Sequence, residues 1–163
     1  MRWRAAILTT SDRGVRGERE ITNALVIREL VEEELHGEIV DERVIPEEID
    51  EMMAALIEMT DYYQAHLIIT TGGSQLHWND ITPEATRQVI DREAPGFPEI
   101  IRQTLRADGI AAATFRGIAG LREQSLILNL PDSPLGVSKA LLALIPDIET
   151  ALLNIQGRAG NDE

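Results

Sequence analysis

Apolar positions along the chain alternate between two periods. Ala5, Ala6, Ile7 and Leu8 form a continuous run ending in Thr9 and Thr10, the pattern of a strand covered on both faces. Between Leu25 and Leu35, the apolar residues Ile27, Leu30, Val31 and Leu35 recur at helical spacing. Gly37 follows, where a helix end favours a residue tolerant of positive φ. Ile39 to Ile45 reads as a second strand. Ile49, Met52, Met53, Leu56 and Ile57 share one helical face, with Glu47, Glu48, Asp50 and Glu51 crowding its N-terminal turn. Leu67 to Ile69 form a third strand that runs into Thr70-Thr71-Gly72-Gly73. Thr82-Pro83-Glu84 places a cap residue, a first-turn proline and an acid in order, which predicts a helix to about Glu93, before Pro95-Gly96. A further helix spans Phe97 to about Leu105. Leu126 to Leu128 form another buried strand, ending at Asn129-Leu130-Pro131. Val137 to Ile155 is helical in pattern, with a break or kink expected near Pro146.

This alternation predicts a three-layer α/β/α architecture with a mainly parallel sheet. Residues 1–157 read as a single domain and the polar residues 158–163 as a frayed tail. A length of 163 residues with 44% hydrophobic and 26% charged residues excludes wholesale disorder. The net charge of -13 argues against binding to nucleic acid or to an anionic membrane surface. The absence of cysteine removes disulfides, thiolate metal sites and cysteine nucleophiles. Near the start, Arg2 and Arg4 precede an apolar run of only Ala5 to Leu8, too short for a membrane span and without a cleavage site. The expected location is the cytoplasm.

In such a sheet, ligands bind beyond the carboxyl ends of the strands. Three segments occupy that edge: residues 10–14, Thr70 to Thr82, and Asn129 to Pro134. Paired glycines after a strand let the backbone approach an anion closely. A carboxylate at Asp80, ahead of a helix start, suits a magnesium ion beside a phosphate. The alternative is a tight strand-to-helix turn at Gly72-Gly73, with Asp80 as an additional cap. Neither a Walker loop nor the dinucleotide glycine fingerprint is present.

The series T-T-S-D-R at Thr9 to Arg13, T-T-G-G at Thr70 to Gly73, D-I-T-P-E-A-T at Asp80 to Thr86, P-G-F at Pro95 to Phe97 and L-I-L-N-L-P at Leu126 to Pro131 resembles the MoaB/Mog family of molybdenum-cofactor biosynthesis proteins. The match runs through nearly the whole chain. The resemblance implies a molybdopterin-binding fold, a homotrimer, molybdopterin as ligand and, in active members, transfer of AMP from ATP to it with Mg2+. It implies Asp80 and Glu47 as catalytic and metal-holding carboxylates. It likewise implies Ser11, Asp12, Thr71, Gly72, Gly73, Ser74, Asn129, Pro131 and Ser133 as the ligand-binding set, with Pro134 in the last loop.

Departures from the family pattern gather on the same edge. Gly73 is followed by Ser74-Gln75 in place of a second glycine-containing step, and the stretch before Asp80 reads Leu76-His77-Trp78-Asn79. Ile21-Thr22-Asn23-Ala24 replaces a small polar run, Glu47 stands for an aspartate, and Asp132 and Leu135 stand where glycine and lysine are usual. Acid gained and lysine lost both disfavour a bound phosphate. Two other readings follow. One is a trimeric scaffold on this fold, catalytically impaired or engineered, whose former pocket edge at Ile21, Leu25, Trp78 and Leu135 is an assembly interface with a protein partner. The other is a different metalloenzyme using His77, Asp80 and Glu47.

Overall fold

A computed structural model describes residues 2–11 and 22–157 of the chain. The elements follow in the order β1 (Trp3–Thr10), α1 (Thr22–Glu34), β2 (Gly37–Ile45), α2 (Ile49–Asp61), β3 (Leu67–Thr71), α3 (Thr82–Val89), β4 (Arg92–Glu93), α4 (Gly96–Ala107), β5 (Ala119–Arg122), β6 (Ser125–Leu130) and α5 (Pro134–Ile155). One six-stranded sheet has the order β2-β1-β3-β6-β5-β4. Strands β2, β1, β3 and β6 are parallel, β5 runs antiparallel to β6, and β4 runs antiparallel to β5.

Strand alternation divides the core into two layers. Ala5, Ile7, Leu67, Ile69, Leu126 and Leu128 face α1, α4 and α5. Ala6, Leu8, Ile68 and Ile127 face α2 and α3. Residues 67–71 of β3 are all buried, as a central strand between two helical layers requires. The expected three-layer architecture is therefore present. The register puts Thr9 beside Thr71 and Thr71 beside Leu130, so the carboxyl ends of β1, β3 and β6 finish level.

Several local expectations are corrected. Residue His36, not Gly37, takes the positive φ after α1, at 53°. Gly37 instead opens β2, where an added Cβ would lie 2.7 Å from Val31 Cγ1. Helix α3 stops at Val89, because β4 begins at Arg92 and its neighbour Asp91 bonds to Leu121 O at 2.6 Å. Thr82 lies inside that helix, and its hydroxyl donates to Gly72 O at 2.8 Å across the loop. The cap position is Ile81, which gives no side-chain cap. Asp80 is likewise not the cap. Helix α5 passes through Pro146 unbroken. Pro146 and Leu142, whose carbonyl loses its helical donor there, are exposed to water, while Val137, Leu141, Leu144, Ile148 and Leu152 hold the opposite stripe in the core. At the start of α2, Glu48 caps the helix by accepting from the N–H groups of Asp50 and Glu51, within the expected acidic cluster.

Candidate functional site

Strand β1 has β2 on one side and β3 on the other, so the chain winds in opposite directions from it. The crevice at such a switch point is where α/β sheets admit ligands. A cleft of about 180 Å³ opens there. Its described lining comes from the end of β1 (Thr9, Thr10 and Ser11), the start of α1 (Thr22 and Asn23), Glu47 after β2, the β3–α3 connection (Thr71, Gly72, Gly73 and Asp80), and Asp132 and Pro134 after β6.

Glycine is dictated at the centre of this turn. Gly72 has φ +93°, and a Cβ on it would sit 2.3 Å from Thr10 O. Gly73 has φ +68°, and its Cβ would meet Thr82 Oγ1 at 2.5 Å. Gly72 lets the β3 end close on β1, and Gly73 lets it close on the start of α3, because neither carries a side chain.

Residues 74–80 are then fastened from several directions. Asp80 Oδ2 accepts from the N–H groups of Gln75 and His77, both at 3.1 Å. The Asn79 amide donates to the Glu47 carboxylate, joining this loop to the one after β2, and His77 Nδ1 bonds Asn79 Oδ1. From below, the Arg116 guanidinium donates to Gln75 O at 2.6 Å, Asp80 O at 2.9 Å and Glu84 Oε2 at 2.7 Å. The Arg116 N–H bonds Ser74 O at 2.7 Å. The hydrogen bond from Arg116 holds the Glu84 carboxyl below its ordinary range, against an opposing effect of burial, and Glu84 in turn raises the Arg116 value. Sequence reading passed over Arg116, since its partners are mostly backbone carbonyls far away in the chain.

Of the residues singled out from the sequence, Ser11, Glu47, Thr71, Gly72, Gly73 and Asp80 come together in the cleft, with Pro134. Ser74, Asn129, Pro131 and Ser133 are not among its lining residues. Ser74 is fully buried and its hydroxyl donates to Leu130 O and Asp132 Oδ1, at 3.3 and 3.1 Å. Asn129 is also buried. Its Nδ2 donates to Thr70 and Thr86 hydroxyls, and its Oδ1 accepts from Ile118 N. Pro131 offers its carbonyl to Thr71 Oγ1 at 2.9 Å, and Ser133 caps α5 through Gly136 N at 3.0 Å. Asp12 and Ile21 lie outside the described residues. Thr9, Thr10, Thr22, Asn23 and Asp132 enter the lining without having been assigned to the binding set. The first two stand next to Ser11 at the same strand end, which is the signal that could have included them. Asn23 holds the wall together, donating to Thr71 Oγ1 at 3.1 Å and Asp132 O at 2.5 Å.

A self-contained metal site at His77, Asp80 and Glu47 is not formed. Among the described residues, no three His, Asp or Glu side chains are grouped to hold an ion. The His77 ring is exposed and tilted against Trp78, with ring centroids 6.0 Å apart. Glu47, Asp80 and Asp132 nevertheless face one cleft, and no Lys or Arg is among the described lining residues. Such a surface accepts an anion through a bridging cation, through backbone N–H groups and through hydroxyls. Among the described residues, no helix is long and apolar enough to cross a membrane.

Residues 6–150 match the family described as "Probable molybdopterin binding domain". The chain is 40% identical over 149 residues to a molybdopterin adenylyltransferase of Helicobacter pylori, a match covering 87% of this chain and 81% of that protein. It is also 40% identical over 99 residues to the Escherichia coli molybdopterin adenylyltransferase, covering 61% of this chain and 51% of that one. Among solved structures, the molybdopterin biosynthesis enzyme MoaB of Thermus thermophilus superposes with a TM-score of 0.88 at 40% identity, over 95% of this chain and 97% of that one.

Proposed function

The chain belongs to the molybdopterin-binding domain family, and from that membership we propose that its cleft binds molybdopterin and transfers AMP to it from ATP. The observation that carries this reading is the convergence of Glu47 and Asp80 with the Thr71-Gly72-Gly73 turn in one crevice at the β1/β3 switch. In the reaction, a phosphate oxygen of the pterin attacks the α-phosphorus of ATP. The bond from that phosphorus to the β-phosphate oxygen breaks, and pyrophosphate leaves with the electron pair.

The donor set fits Mg2+, an ion commonly held by one or two carboxylates with substrate phosphates and water supplying the rest. Asp80 and Glu47 would hold it, and its contribution would be to neutralise phosphate charge. Asp80 binds two backbone N–H groups through Oδ2, which fixes the carboxylate in one orientation. Glu47, one methylene longer than aspartate, is steadied by Asn79. Ser11 and Thr22 bring hydroxyls to the lining, the Thr10 hydroxyl being turned to Met52 Sδ, and the carboxylates repel an anion that arrives without its cation. A homotrimer in the cytoplasm belongs to the same reading.

The test is direct. Purified chain with molybdopterin, ATP and Mg2+ should yield adenylylated pterin and pyrophosphate in equal amounts, and chelation of the metal should stop it. Absence of both transfer and pterin binding overturns the proposal.

A further inference from the structure

The cleft is small and polar. Its volume of about 180 Å³ is below the roughly 300–1,000 Å³ of pockets that enclose a whole small molecule. Hydroxyls, carboxylates, glycines and one proline line it, and no aromatic ring is among the described lining residues. Phosphates suit such a space. The flat ring of a nucleotide finds no aromatic partner among the described lining residues, and the volume leaves it to the rim.

That rim is apolar. Leu25 in the first turn of α1, Trp78 in the β3–α3 loop and Leu135 in the first turn of α5 are 55%, 87% and 58% exposed. Each stands within two residues of a lining residue: Asn23, Asp80 and Pro134. Trp78 is the aromatic member. Its exposure shows that it does not fold back onto its own loop, whose backbone is fixed. Asp80 ties the N–H groups of Gln75 and His77, Asn79 reaches Glu47, and Arg116 holds the carbonyls of Gln75 and Asp80. The His77 ring lies against the indole at 34° and leaves it exposed. An exposed indole carried on a fixed backbone offers a stacking surface.

We propose that Trp78 is a stacking platform for the purine base of ATP at the mouth of the cleft. This rests on the reading of the cleft as an AMP-transfer site and names the residue that recognises the nucleoside. The base is favoured over the pterin for a reason of tethering. Trp78 Cα lies within about 7 Å of Asp80 Cα, two residues on, and Asp80 is the carboxylate that would hold the cation on the triphosphate. A base joined to that triphosphate through ribose is delivered to the same loop.

The test uses the whole chain with Trp3→Phe, which leaves Trp78 as the sole indole of the two in the sequence. A non-hydrolysable ATP analogue with Mg2+ should quench its fluorescence, whereas Mg2+ with inorganic tripolyphosphate, which has no base, should bind without quenching. Trp78→Ala should weaken the analogue about ten- to a hundredfold, the range expected for one lost base–aromatic stack. Tripolyphosphate binding should stay within about twofold, and Trp78→Phe should restore most of the loss. Equal weakening of both ligands overturns the proposal, as does a loss confined to molybdopterin. A fall in solution mass on Trp78→Ala also overturns it, in favour of a protein contact. If the unsubstituted chain binds neither analogue nor tripolyphosphate, the AMP-transfer reading itself fails. If it binds both and Trp78→Ala changes neither, only the stacking fails.

Discussion

Both ends of the parallel strands carry a cavity, and the larger one is at the amino end. There Arg4, Thr60, Asp61, His66, Glu123 and Ser125 help to line about 530 Å³, against about 180 Å³ at the carboxyl end. Several polar groups of the larger cavity are engaged with their own neighbourhood, although the buried Thr60 hydroxyl is not. Arg4 donates to Tyr63 O at 2.5 Å and pairs with Glu38 at 3.8 Å, and its N–H donates to His66 Nδ1 at 3.0 Å. Arg122 stands 3.2 Å from Asp61, and Ser125 donates to Ala65 O at 2.5 Å. At the carboxyl end, three carboxylates face one cleft with no cation among the described lining residues, around a turn that only glycine can make. Volume does not separate these cavities. Charge of one sign, held in place by cross-loop hydrogen bonds, does.

The sharpest way to break this contrast is to crowd the turn. Gly72→Ala would drive a Cβ to 2.3 Å from Thr10 O at a φ of +93°, and the expected loss is about 3 kcal/mol or more. Gly109→Ala is the control. It shares a positive φ, +71°, but has nothing within 4 Å of the added Cβ, and should cost about 1 kcal/mol. Urea midpoints at unchanged m-value measure both. Equal losses would mean that the close approach of the β1 and β3 ends is not what shapes the cleft.

The second contrast is chemical. Asp80→Asn keeps an oxygen acceptor for the N–H groups of Gln75 and His77 but removes the charge. AMP transfer should fall about a hundredfold or more, with the thermal midpoint nearly unchanged. At the other end, Asp61→Asn removes the charge facing Arg122 and should leave transfer within about twofold, as expected for an exposed pair remote from the chemistry. Steady-state rates on both variants decide it. Comparable losses would show that the charge difference between the two ends is not catalytic.

The sequence was most legible where a residue's type and its neighbours carry the information. Ala5 to Leu8 and Leu67 to Ile69 announce buried strands because both faces must be apolar, and Gly72, Gly73 and Asp80 announce a site because few residues do their work. Contacts between distant segments were hidden. Thr82 has the local order of a cap, yet it spends its hydroxyl on Gly72 O. Asn129 and Ser74 sit in motifs of a binding edge, yet they brace it from inside the core. Strands β4 and β5 were missed because Arg92–Glu93 is two exposed residues long and Ala119–Arg122 has only two buried ones. At Pro146 the expected break is absent, on a helix face where Pro146 and Leu142 are both exposed.

Arg116 is the clearest hidden residue, and two smaller effects test its part in the contrast. Arg116→Gln strips donors from Gln75 O and Asp80 O and leaves Glu84 without its ion-pair partner. The loss should be about 2 kcal/mol of stability, and hydrogen exchange should quicken at residues 74–80 but not around His66.

Glu84→Gln isolates the charge. Its carboxylate is about half exposed, so removing it should cost less than about 1 kcal/mol near neutrality. The sign with pH is fixed. Because the hydrogen bond from Arg116 lowers the Glu84 value in the folded chain, its contribution is complete above the ordinary carboxylate range and fades as pH falls through the lowered value. Unfolding curves of the unsubstituted chain and Glu84→Gln should therefore differ most above the ordinary carboxylate range and converge as pH falls below it. Curves that stay parallel across that window would show that Arg116 holds the loop through the two carbonyls alone, and that the cleft's support needs no charge beneath it.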